Sequence, residues 1–70
     1  MIARFYRTHF GFAADLADGS TLRLREPWDA TYDRWTFYLE SASGELIRKQ
    51  TQDRTMTART AKRHALKWAT

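Results

Sequence analysis

The stretch Trp35-Thr36-Phe37-Tyr38-Leu39-Glu40-Ser41-Ala42-Ser43-Gly44-Glu45-Leu46 decides how the whole chain is read. Trp35, Phe37 and Leu39 alternate with Thr36, Tyr38 and Glu40. That period of two gives a strand one apolar and one polar face. Ser41-Ala42-Ser43-Gly44 is a turn signal, rich in residues that bond their own backbone or accept unusual dihedrals. Beyond it, Leu46, or Ile47 in the other register, is expected to complete the buried side, with Arg48 and Lys49 following. The pattern predicts a β-hairpin over about 34–51.

Upstream, residues 27–33 interrupt the alternation. Pro27 has no amide proton to give a central strand. Trp28 and Tyr32 are expected to fold back onto the core as a loop or single turn. Before them a second hairpin is predicted from about Phe10 to Glu26. Phe10, Phe12, Ala14 and Leu16 alternate with His9, Gly11, Ala13 and Asp15, and Leu22 and Leu24 alternate with Thr21, Arg23 and Arg25. Asp18-Gly19-Ser20 supplies the turn. A two-residue loop would set Leu16 opposite Thr21 and Ala14 opposite Arg23, mixing apolar and charged groups on one face. A three-residue loop sets Leu16 opposite Leu22 and Ala14 opposite Leu24, so that loop is predicted, with Gly19 or Ser20 in a bulge. An earlier strand, Ile2 to Arg7, leads into or pairs with this hairpin.

Downstream, a helix is predicted over 58–69, with Thr57 (or Asp53 or Thr55) as its N-cap. Ala58, Ala61, Ala65, Trp68 and Ala69 share one face at 3.6 residues per turn. Four alanines let the helix lie close on a sheet. Arg59, Lys62, Arg63 and Lys67 are expected in the opposite arc. Basic residues late in a helix also suit its C-terminal dipole, which needs no ligand.

Strands first and a helix last make this an α+β domain. The expected architecture is an antiparallel sheet of three to five strands, built from two β-hairpins, with one C-terminal helix packed on one face. Its expected core is Phe10, Phe12, Leu16, Leu22, Leu24, Trp35, Phe37, Leu39, Leu46, Ala61, Ala65 and Trp68. Residues 1–70 suit a single small domain.

Composition narrows the function. With no cysteine, disulfides, cysteine-based zinc sites and thiol nucleophiles are excluded. Three Trp, three Tyr and four Phe supply the bulk a short chain needs for a core. No apolar run approaches a membrane span, and no secretory leader is visible, so a complete, cytoplasmic protein is expected. His9 and His64 form no metal or catalytic pattern, and the acids cluster at turns and strand ends. A binding module, not an enzyme, is expected, with no cofactor and no metal.

The net charge is +4, and residues 54–70 alone carry +5 with no acid, against −1 for residues 1–53. Such segregation points to a partner bearing negative charge, although a solvated helix face is the plainer reading. Arg59, Arg63 and Lys67 stand at i, i+4 and i+8 and form a row.

The second half resembles a known family. The aromatic strand Trp35-Thr36-Phe37-Tyr38-Leu39, Gly44, the basic pair Arg48-Lys49, Thr57 and the Ala- and Trp-containing helix Thr60-Ala61-Lys62-Arg63-His64-Ala65-Leu66-Lys67-Trp68 look like the arm-type DNA-binding domain of phage and transposon integrases. Trp68 stands about a turn later than in that family, and the first 33 residues have no counterpart in it. The resemblance implies a small sheet entering the DNA major groove with the helix behind it. It implies Arg34, Thr36, Arg48, Lys49 and Arg23 or Arg25 as the residues facing DNA. Phe10-Gly11-Phe12-Ala13 with Asp18-Gly19-Ser20 is similar to a strand and turn of cold-shock domains, where aromatics stack on single-stranded bases. Against that stands the core assignment of both rings, adopted above.

Two readings follow. The first is a nucleic-acid-binding module, with DNA ahead of RNA, in which Arg48, Lys49, Arg59, Lys62, Arg63 and Lys67 neutralise phosphates and Tyr38 or Tyr6 stacks on bases. The second is a small inhibitor or adaptor of a phage or mobile element, anti-CRISPR-like, binding a host protein or ribonucleoprotein through an acidic surface on the partner. A homodimer through an open sheet edge is compatible with either.

Overall fold

A computed structural model describes residues 4–27 and 33–70. They form a five-stranded antiparallel sheet and one helix, an α+β arrangement. The strands are β1 (Phe5–Arg7), β2 (Gly11–Asp15), β3 (Thr21–Arg25), β4 (Thr36–Glu40) and β5 (Leu46–Thr51), in that spatial order. The helix α1 (Ala58–Ala69) lies across the middle of the sheet, over β3. Trp28 and Tyr32, expected to fold onto the core, lie outside the described residues.

Two turns of one design set the hairpins. The Leu16 carbonyl accepts from the Gly19 amide at 3.0 Å, and the Ser20 carbonyl accepts from the Leu16 amide at 2.9 Å. Ser41, Gly44 and Glu45 repeat this at 2.9 and 2.8 Å. Gly19 and Gly44 take φ of +90° and +89°, which a side chain would resist. The Asp18 carboxylate accepts from the Ser20 hydroxyl and the Ser20 amide, and those bonds hold its pKa below the ordinary aspartate range.

The first hairpin is paired two residues away from the expected register. Ala14 faces Leu22 and Phe12 faces Leu24. The loop is Ala17-Asp18-Gly19, because the glycine must stand last, where the backbone turns left-handed. A slip of two leaves every side chain on its expected face.

The second hairpin holds a bulge. Glu40 pairs with Leu46 but Leu39 pairs with Arg48, so Ile47 is the extra residue. Neither Leu46 nor Ile47 completes the core, as they are 57% and 54% exposed. The bulge moves β5 by one residue and puts Arg48 on the helix side opposite Leu39.

The core is Leu22, Leu24, Trp35, Phe37, Ala61 and Ala65, with Phe5, Phe12, Leu16, Met56 and Trp68 packed against it. The Trp35 indole donates to the Met56 carbonyl at 2.8 Å, so its polar edge is satisfied where it is buried. Ala61 and Ala65 are fully buried against the sheet, as small residues on a close-packed helix face must be. Thr57 caps the helix by accepting from the Thr60 amide at 3.3 Å. Among the described residues, no helix is long and apolar enough to cross a membrane.

Phe10 is the other correction to the core. It is 64% exposed. Residues 9 and 10 form a bend, and β2 begins only at Gly11. The bend breaks the alternation, so Phe10 leaves the phase that Phe12 and Ala14 keep.

Candidate nucleic-acid interface

Helix and sheet present two separate surfaces. On the outer arc of α1, Arg59, Arg63 and Lys67 are exposed. No described carboxylate lies within ion-pair distance of any of them. The buried stripe of Ala61 and Ala65 fixes this orientation, because the residues opposite it must face water.

Lys62 does not belong to that arc. It is partly buried at the flank of the helix, and its ammonium stands 3.9 Å from the Phe12 ring centroid and 5.9 Å from that of Phe5. Its place on the wheel is beside the alanine stripe, so its stem covers the core edge while its charge rests on aromatic faces.

Arg48 and Lys49 are adjacent in sequence and opposite in space, as strand alternation requires. The Arg48 guanidinium donates to the Trp68 carbonyl at 2.8 Å and lies 4.5 Å from the Trp68 ring. The Trp68 indole in turn donates to the Gln50 side chain at 2.9 Å. Arg48 therefore ties the C-terminal end of the helix to β5, where a cation also meets the dipole favourably. Lys49 lies on the other face, 5.6 Å from the Tyr38 ring.

Among the described residues, the sheet face turned away from the helix is covered by no second element and is open. Registered neighbours run across it in one row: Tyr6, Ala13, Arg23, Tyr38 and Lys49. Arg23 donates to Glu40 at 2.6 Å, and Tyr6 to Asp15 at 3.4 Å. Arg25 places its guanidinium 5.8 Å from the Phe10 ring, which His9 meets edge-on at 4.7 Å. A concavity of about 460 Å³ opens here, lined by Phe10, Arg23, Arg25, Tyr38 and Glu40 with Thr8 and His9.

Of the residues the integrase resemblance implies, Arg23, Arg25, Thr36 and Lys49 share this open face, while Arg48 faces the helix. Arg34 forms an ion pair with Asp33. Phe10 and Phe12 make no joint platform. Phe12 stacks near Trp35 at 6.2 Å on the helix side, and only Phe10 is presented to solvent. Sequence reasoning assigned Phe10 to the core, although Gly11 directly after it was a signal. A Cβ there would meet the Leu24 carbonyl oxygen at 2.1 Å, so the chain at that point is pressed against β3 and is no ordinary strand.

Among the described residues, no group of three His, Asp or Glu side chains could hold a metal ion. No protein-family model, curated protein or solved structure matches the chain.

Proposed function

We propose that this chain is a small nucleic-acid-binding domain that contacts phosphates through the outer arc of α1. The observation that carries the reading is the row of Arg59, Arg63 and Lys67, exposed and without a described carboxylate partner. The three stand about 6 Å apart along the helix axis. Cations held in such a row release counterions when they meet a phosphate backbone, and this favours binding whatever the sequence. DNA is the first candidate and RNA the second, and the domain acts without chemistry on its ligand. The setting this reading fits is the cytoplasm.

The test is binding of labelled duplex DNA, single-stranded DNA and RNA across a salt series. Three phosphate contacts give a log–log slope of about −3 with duplex. Arg59→Glu with Arg63→Glu is expected to abolish measurable binding at moderate salt. An affinity indifferent to salt, or no binding at low salt, would end the proposal.

One observation favours a second reading. Leu46 and Ile47 stand exposed side by side beside the outer edge of β5, a surface suited to a protein partner. An inhibitor or adaptor that engages a host protein would use it. Recovery of a protein complex lost on Ile47→Asp, together with no nucleic-acid binding, would put this reading first.

A further inference from the structure

We infer that the open face of the sheet is a site for an unpaired nucleobase, with Phe10 and Tyr38 as its stacking surfaces and Lys49 and Arg25 serving the adjoining phosphates. This rests on the nucleic-acid reading and deepens it, but it uses the side of the molecule opposite the helix row.

Aromatic rings on a sheet ordinarily pack into the core, as Phe37 does fully and Phe12 in part here. Phe10 is 64% exposed, and it is held in that position by structure. The bend at residues 9 and 10 is closed by the Thr8 amide donating to the Gly11 carbonyl at 2.9 Å and by the Gly11 amide donating to the Thr8 hydroxyl at 3.1 Å. The Glu26 amide donates to the carbonyl of Phe10 itself at 2.9 Å. The backbone that carries the exposed ring is thus held by hydrogen bonds before any ligand arrives.

Across the concavity lies Tyr38, between Arg23 and Lys49 in the five-strand row. Its volume falls within the range of roughly 300–1,000 Å³ typical of small-ligand sites. The walls carry both chemistries a nucleotide needs. Ring faces accept the flat base by stacking, and every base has such a face. Glu40, oriented by its 2.6 Å bond from Arg23, presents a carboxylate that can accept from a base N–H, the ring imino group of thymine or uracil included. Lys49 beside Tyr38 and Arg25 beside Phe10 bracket the concavity with positive charge. In a duplex the ring faces of the bases are covered by their neighbours. Stacking on Phe10 and Tyr38 is open only to a single strand or a splayed-out base.

The experiment uses the full chain and oligothymidylate or oligouridylate of about eight nucleotides, with a duplex of equal length as reference. In the unaltered protein, titration with the single strands is expected to shift the ring-proton resonances of Phe10 and Tyr38. The variants Phe10→Ser and Tyr38→Ala are each expected to weaken single-strand binding roughly tenfold, the size of one base–aromatic contact, while duplex binding persists. Comparing the thymidylate and uridylate arms tells whether DNA or RNA is preferred. If the rings do not shift and both variants bind single strands as the parent does, the base site is wrong while the helix reading stands. If single-strand binding falls in these variants while duplex binding survives Arg59→Glu with Arg63→Glu, the base site stands and the helix reading falls. If the parent binds no nucleic acid at low salt, both fall.

Discussion

Gly11 shows how much one missing atom decides. Its backbone runs so close to β3 that a Cβ would stand 2.1 Å from the Leu24 carbonyl oxygen and 3.0 Å from the Glu26 nitrogen. Neither neighbour is a side chain that could turn aside. Gly11→Ala is expected to cost about 2–4 kcal/mol, a large part of the roughly 4–10 kcal/mol a domain of this length commands. Gly44→Ala, whose Cβ would meet nothing within 4 Å, should cost only about 1 kcal/mol from its φ of +89°. Urea unfolding of the two variants checks the contrast, and near-equal losses would show that the close approach at Gly11 is unimportant. The alternation that placed Phe12, Ala14, Leu22, Leu24 and Phe37 was legible because each stands inside a regular strand. Phe10 was not, because the bend before Gly11 is fixed by contacts with Glu26 and Thr8. No period in the sequence records them.

At the scale of elements, α1 was legible almost to the residue. A threonine cap, a stripe of alanines and the absence of Gly or Pro are all local signals. The bulge in β5 was not. It is a relation between two strands, and Leu46-Ile47 offers no alternation to choose between registers. The consequence reaches the candidate site, since the bulge decides which of Arg48 and Lys49 faces the helix. Arg48→Ala is expected to lower stability by about 1 kcal/mol through loss of its contacts to Trp68, with the salt slope for duplex unchanged. Lys49→Ala should leave stability within about 0.5 kcal/mol and weaken single-strand binding. Unfolding curves and titrations on the same pair decide this, and a reversed pattern would show that the two side chains have exchanged roles.

At the scale of the whole molecule, each strand pairs with its neighbour in sequence, and the helix then closes over the middle. Such order keeps most contacts local and loop-closure costs small. Folding in a single phase on a timescale of roughly milliseconds is expected in stopped-flow experiments. A slow second phase would mean that the sheet does not assemble as one unit. The charge segregation was legible in the sequence as a property of the last segment, yet its division between two faces was not. Arg59, Arg63 and Lys67 share an arc by helical spacing alone. Lys49, Arg23 and Arg25 come together only through the pairing of β3, β4 and β5. The bulge at Ile47 has one more effect. β5 is the longest strand, and along its free edge it would be the natural template on which unfolded or neighbouring chains could pile up into fibrils. An extra residue interrupts the regular spacing of its amides, and Arg48 and Lys49 follow at once with charge. The irregularity that costs the core an isoleucine, Ile47, thereby protects the domain against aggregation.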